Sequence, residues 1–411
     1  MFTTLLKMAW RNIWRQRRRT LLTAAAISLA LILSILARSL QEGSYAHNID
    51  NGARFSSGLV QIQHPKFGDS GSIDDLVPGS EEFIAPLRED ERINHIVPRI
   101  ESFALAAGAE RSRGARVMGV RPELEDAYAR VGQKLSAGEY LLADDNAVLL
   151  GVGLARYLNV GIGDEVVLYG QGYRGQTAAG LYPIKGLLSF PMPGIDDRLV
   201  YMPLAAAEQL FSTDGQVTNW VVHTHTLSLL PELLTQVGAT YPQYRVRDWE
   251  DMLPEMAQQI SMDRAGGYFM MVLLYGVVGF GLFATLLMMT LERQREFGVM
   301  LATGLLRSRL MILIAFESLF IATLGFVMGL LVVLPVLLWL QAYPIRMTGE
   351  MAQMVVEMGF EPVIPALLEA FVFAEQVQTT LFILMLCLIY PLYRVYALTV
   401  VVALQGKGHV G

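Results

Sequence analysis

Cysteine is nearly missing from this chain: Cys387 is the single one among 411 residues. No disulfide can close within it, so any folded part must hold by packing alone. A phosphate-binding G-x-x-x-x-G-K-[ST] run is missing too, since Gly406-Lys407-Gly408 lacks both the hydroxyl residue and a preceding strand. There is no G-x-S-x-G nucleophile elbow. Gly151-x-Gly153 lacks the third glycine and the βαβ context of a dinucleotide site. His223-x-His225 offers two ligands, too few for zinc, and reads as a pair of ordinary strand residues. Asp144-Asp145 and Asp196-Asp197 read as turn acids, because neighbouring carboxylates on a strand point apart and cannot share acid and base work. The net charge of -6 argues against a nucleic-acid partner. These absences assign no catalytic residue, no metal site and no cofactor to the chain itself, and the reading is a protein that is not an enzyme.

What is present is apolar and clustered. Hydrophobic residues make up 53% of the chain against 17% charged ones, a balance too apolar for an ordinary soluble enzyme. Four runs are long enough for a bilayer, which about 20 apolar residues cross. They lie in 20–41, 264–290, 310–341 and 371–396. The third exceeds one crossing, so it tilts, kinks at Pro335 or projects. For the first run a cleaved signal peptide is the alternative, but no clear small-residue cleavage site precedes Arg38. The fold class is therefore a four-helix membrane protein with a large α+β domain between helices 1 and 2.

That inserted domain, residues 42–263, shows strand-like alternation at Gly58–His64, Ala115–Val120 and Asn219–Thr226. Helical patterns fall at Pro122–Val131, Val152–Leu158, Leu204–Phe211 and Leu230–Val237, with Gly, Pro and Asp as punctuation. The block has room for two lobes. Leu253–Arg264 reads as a helix running straight into the second span.

Charge bias orients the spans. Residues 1–19 are basic, with Lys7, Arg11, Arg15, Arg17, Arg18 and Arg19. Trp10, Ile13 and Trp14 share a helical face there, as expected of an amphipathic helix lying on the cytoplasmic membrane surface. Residues 291–309 carry Arg293, Arg295, Arg307 and Arg309, and so belong inside. Residues 342–370 hold Glu350, Glu357, Glu361 and Glu369 against Arg346, as suits an outer loop. The tail, 397–411, returns inside. Within the spans, Gly276, Gly279 and Gly281 allow close helix approach, and Gly325-x-x-x-Gly329 is a packing motif within the chain or between chains. Glu317 is a carboxylate inside the third span, where charge is costly. It should face other helices or reach the inner interface. The other spans offer it no relay partner, so its expected role is helix pairing.

The order of one span, large domain and three spans, with E-R-Q-R-E-F-G-V-M-L-A-T-G at residues 292–304, resembles the FtsX/MacB-like permeases of ABC transporters, the type VII or mechanotransmission family. W-R-N-I-W-R-Q-R-R-R-T at 10–20 and the tail from Tyr390 to Arg394 are similar to that family. So are G-V-R-P-E-L-E at 119–125 and L-L-G-V-G-L-A-R-Y-L-N-V-G-I-G-D-E-V at 149–166, which look like a MacB-type periplasmic core. The layout is closest to the LolC/LolE lipoprotein-releasing permeases, although the N-terminus departs from theirs. MacB carries a fused ATPase and this chain has none.

The resemblance implies a bacterial inner-membrane permease with its large domain in the periplasm. It implies a separate cytoplasmic ABC ATPase that holds ATP and Mg, a second permease copy or sister permease, and a lipoprotein or other periplasmic cargo. It places the ATPase contact on 291–309, where Glu292, Arg293 and Glu296 give charge. Met300 and Leu301 would add apolar contact, and Gly298 and Gly304 would permit bends. The alternative is an FtsX-like signalling protein that activates a periplasmic enzyme and transports nothing.

Overall fold

The computed structural model describes residues 2–15, 17–190, 193–357 and 361–399. The chain divides into two units. One gathers the chain up to Ser44, Ser261–Ile345 and the chain from Ile364 on; the other holds Tyr45–Ile260 and Arg346–Val363.

In the helical unit, α1 (Phe2–Arg15) precedes the first long helix, α2 (Arg17–Gly52). The others are α3 (Pro254–Glu292), the short α4 (Gln294–Ala302), α5 (Arg307–Ala342) and α6 (Ala370–Tyr396). Among the described residues, four helices are long and apolar enough to cross a membrane: α2, α3, α5 and α6. The inserted domain lies between the first and second of them. The helix α3 starts at Pro254 and is unbroken, as the 253–264 pattern anticipates. Pro335 sits inside α5 without ending it. Of the tail at 397–411, residues 400–411 lie outside the described ones.

Small residues decide how α5 meets α2. A Cβ on Gly325 would stand 2.8 Å from Ile27 Cβ and 2.9 Å from the Ala24 carbonyl oxygen. On Gly329 it would stand 3.1 Å from Leu31 Cδ2. Both glycines thus face span 1 of the same chain, which closes the choice that the motif alone left open. Gly279 lets α6 close in, with Ile383 3.1 Å from its would-be Cβ and the Cys387 thiol donating to its carbonyl at 3.3 Å. Gly276 and Gly281 differ from expectation: among the described residues nothing lies within 4 Å of a Cβ built on either, so neither turns toward another described helix.

In the second unit a single ten-stranded sheet takes the place of two lobes. Its strands are β1 (Val60–Gln63), β2 (Ile93–Ala107), β3 (Ser112–Val120), β4 (Leu135–Gly138), β5 (Val148–Gly151), β6 (Glu165–Gln171), β7 (Thr177–Leu188), β8 (Leu199–Pro203), β9 (Asn219–Thr224) and β10 (Arg245–Asp248). Their order is β10-β1-β9-β2-β3-β8-β5-β7-β4, with β6 pairing β2 and β7. The long hairpin β2–β3 is antiparallel, Arg99 opposite Val120, whereas β3 runs parallel to β8. Helices Val152–Leu158 and Leu204–Phe211 fall where the 3.6-residue period puts them. The main core joins Ile62, Ile100, Val117, Val200, Trp220 and Phe211; a second one, on the other face, joins Val97, Met118, Tyr201 and Val221. Alternate residues of the same strands feed the two cores, because successive side chains point to opposite faces.

Candidate functional site

The helix α4 is short and both its ends are defined. Its C-terminal turn closes as Gly304 N–H donates to Leu301 O at 3.1 Å and Leu305 N–H to Met300 O at 3.0 Å. Gly304 has φ +94°, which a side chain would strain. The glycine therefore ends the helix and lets α5 begin at Arg307.

One face of α4 is fixed inward. Phe297 is fully buried with Ala9, Leu310, Leu313, Ile314 and Val395, and Met300, Leu301 and Leu305 pack against this group. Gly298 is buried inside the helix, so it makes no bend. Arg293 is buried too, with its guanidinium on the Glu317 carboxylate and its Nε donating to Glu296 Oε2 at 3.2 Å. Asn12 Nδ2 donates to Glu317 Oε1 at 2.7 Å. Glu317 thus gathers α1, α4 and α5 at one carboxylate, and its partners come from outside the long helices.

The remaining acids of the segment are also paired. Arg15 holds Glu296, and Arg19 Nη2 donates to Glu292 Oε1 at 2.6 Å. The expected acidic edge, Glu292 and Glu296, faces Arg19 at the start of α2 and Arg15 at the end of α1. Arg293, Gly298, Met300 and Leu301 point inward or are partly covered, for the simple reason that α4 must seat itself on α5. The exposed ridge of α4 is Arg295, Val299 and Ala302, with Val299 49% exposed; Leu306, 56% exposed, lies beyond the turn at Gly304. Sequence reading missed the ridge; spacing i, i+4 and i+7 was its only signal.

The helix α1 shows the same division. Leu5, Ala9 and Ile13 are buried against the unit, while Leu6, Trp10 and Trp14 stay exposed. The two strips lie side by side at steps of four residues. Ile13 therefore belongs to the packing strip, which corrects its place beside Trp10 and Trp14 on the membrane-facing strip. Trp10 meets Phe320 of α5 edge-on at 5.5 Å.

The motifs set aside in the inserted domain have packing or hydrogen-bond partners within it. His223 is buried on β9 and its Nε2 meets Asp50 Oδ1 at 2.8 Å; His225 lies past the strand end. Among the described residues no group of three or more His, Cys, Asp or Glu could hold a metal. Would-be Cβ atoms on Gly151 and Gly153 stand 2.2 Å from Asp196 O and Asp197 Oδ1, so the pair serves close packing. Asp145 takes the Lys185 ammonium at 2.6 Å. Asp196 accepts from Phe190 N–H at 2.8 Å, and burial holds its carboxyl above the ordinary range.

A pair the motifs did not flag lies deeper. Arg99 is fully buried, with its Nη2 donating to Glu125 Oε1 at 2.5 Å. It also donates to Ser56 O at 3.2 Å and Arg54 O at 3.4 Å, in the single π-turn Ala53–Ser57 that follows α2. Burial works against its charge, but Glu125 outweighs that and holds the guanidinium above its ordinary pKa.

Residues 20–238 match the MacB-like periplasmic core domain, and residues 268–400 match the FtsX-like permease C-terminal family. The chain is 26% identical over 255 residues to the lipoprotein-releasing system transmembrane protein LolC of Neisseria meningitidis, covering 57% of this chain and 60% of that protein. It is 24% identical over 257 residues to LolC of Xylella fastidiosa, covering 60% and 62%. To LolE of Haemophilus influenzae it is 24% identical over 225 residues, covering 53% and 54%. The matched stretch thus spans just over half to about three-fifths of these curated relatives. The crystal structure of the periplasmic region of MacB from Actinobacillus actinomycetemcomitans overlaps 49% of this chain and 93% of its own, at 14% identity and a TM-score of 0.35.

Proposed function

The chain belongs to the FtsX-like permeases with a MacB-like periplasmic core, and on that premise we propose that it is the non-enzymatic membrane subunit of an ABC transporter. Motion from a separate cytoplasmic ATPase enters at α4 and leaves through α3 into the inserted domain. The work done there is release or export of a lipoprotein or another lipid-linked cargo. The names of the LolC and LolE relatives support that cargo class. ATP and Mg would be bound by the ATPase. The chain would sit in a bacterial inner membrane with α1 and α4 on the cytoplasmic side, paired with a second copy or a sister permease.

The observation that carries this reading is the ionic node at Glu317. It joins α4 to α5 through Arg293 and to α1 through Asn12. A loop between two spans needs no such fastening; a segment that takes a push does. Arg15 and Arg19 add two more ties through Glu296 and Glu292. Met300 and Leu301 seat α4, and Gly304 ends it. The ATPase contact then falls on the exposed ridge Arg295, Val299 and Ala302, and on Leu306 just beyond it. Trp10 and Trp14 would rest in the membrane interface, where aromatic rings concentrate.

The test is copurification of the ATPase encoded with this chain. Val299→Glu places a charge on the ridge and Leu306→Glu one just beyond it, without touching the buried face. Loss of the ATPase from the purified complex, with membrane insertion intact, is the expected result. Retention of the ATPase at wild-type amount in both variants would remove α4 as its dock.

A further inference from the structure

A cavity of about 370 Å³ opens on the β1–β2 face of the inserted domain, and three buried polar atoms of the side chains that line it have no hydrogen-bond partner among the described residues. Gln63 is 1% exposed, and its Nε2 donates to nothing. Glu101 is 7% exposed; Arg116 holds its Oε2, while its Oε1 lies 4.0 Å from Arg99 Nη1 and accepts no hydrogen bond. Arg247 gives an Nη2 hydrogen to Asp251 O, but its Nε has no acceptor. No carboxylate pairs with Arg247 among the described residues. A buried polar group left unpaired is costly, and three around one cavity are a site waiting for complementary atoms.

The atoms state what would complement them. Gln63 Nε2 and Arg247 Nε are two donors, and an Arg fork suits the paired oxygens of a carboxylate. Gly68 lies over both: a Cβ there would stand 2.7 Å from Arg247 Nη1 and 2.9 Å from Gln63 Nε2. Glu101 Oε1 is an acceptor and asks for an N–H. Phe67 and Met252 supply apolar wall. Arg116 and Glu101 offset one another, as do Arg99 and Glu125, so Arg247 leaves one positive charge.

We propose that this cavity binds a carboxylate bearing an N–H donor on the neighbouring carbon, the chemistry shared by a peptide C-terminus and a free amino acid. The residual positive charge favours the chain end, which carries a full negative charge, over the neutral zwitterion. The volume suits a terminal residue with one apolar side chain, near the lower bound for small-ligand sites. This site is independent of the coupling reading and would stand if α4 met no ATPase.

The experiment titrates the full chain in lipid nanodiscs by calorimetry with three probes: N-acetyl-leucine, leucine and leucinamide. N-acetyl-leucine is expected to saturate the site, and leucinamide, which lacks the carboxylate, to give no heat. If leucine binds as tightly as N-acetyl-leucine, the free amino acid is the source; weaker leucine binding assigns the chain end. Gln63→Leu and Arg247→Met should each weaken N-acetyl-leucine by about tenfold or more. Gln63→Leu removes an unpaired buried donor, so unliganded thermal stability should hold or rise. Gly68→Val should block the cavity. No saturable heat from N-acetyl-leucine or leucine up to about 10 mM would overturn the proposal. So would equal binding of leucinamide, or affinity unchanged in both variants.

Discussion

Glu317 shows how one carboxylate can be kept where a carboxylate should not be. Its charge is met by Arg293, and a further lone pair by Asn12. A buried ion pair gains little over a well-packed apolar pair, yet removing one partner strands the other at about 3–5 kcal/mol. Arg293→Met or Glu317→Gln should therefore destabilise the chain by that order, read as a lowered thermal midpoint in detergent. The exchanged pair Arg293→Glu with Glu317→Arg should recover part of the loss. A double exchange no better than its worse single variant would mean that the two charges do not meet. His95 makes the pH case in the inserted domain. Burial, and then Arg54, His223 and His225, push its pKa below the ordinary 6.5. The unfolded chain then takes up the His95 proton at a higher pH than the folded one. Stability is lost as pH falls through the unfolded value. Between about pH 7.5 and pH 5.5 the thermal midpoint should fall more in the wild type than in His95→Phe. An equal fall in both would show that His95 does not carry the effect.

At the scale of the element, α5 turns a glycine pair toward α2 and a carboxylate toward α4. The close approach at Gly325 leaves no space for a branched side chain, since a Cβ would already stand 2.8 Å from Ile27 Cβ. Gly325→Ile should cost about 1–3 kcal/mol through overpacking, read as a lowered thermal midpoint in detergent. Gly281→Ala, with nothing within 4 Å of its Cβ, should hold the midpoint or raise it slightly. If both variants behave alike, the glycine pair is not what brings the helices together. Element existence was legible wherever periodicity was strong: Val152–Leu158 and Leu204–Phe211 are helices in the structure as in the pattern. Faces were less legible. Which residues of α4 look outward depends on Arg15 and Arg19, more than 270 positions away in sequence. No local pattern encodes such a pairing, so the acids that look free in the sequence are spoken for in the fold. Gly276 and Gly281 misled for a related reason: a glycine permits close approach but does not require it.

For the whole molecule, four apolar runs and an interrupted polar block were enough to read the architecture, because bilayer length and charge bias act on composition directly. The single ten-stranded sheet was not readable, since its neighbours include β10 beside β1, joined across the full length of the domain. The cavity beside Gln63 was equally hidden. Its walls come from β1, β2, β10 and the π-turn, and only the fold brings them together. The proposed function requires α4 and the inserted domain to lie on opposite sides of a membrane. Sidedness tests this most directly. In a Cys387→Ala background, cysteines are placed singly at Thr303, beside the α4 ridge, and at Ser112, on the exposed start of β3. Each is then offered a membrane-impermeant maleimide in intact spheroplasts and in inverted vesicles. The account predicts that Ser112→Cys labels only in spheroplasts and Thr303→Cys only in inverted vesicles. Labelling of both from the same side would contradict it.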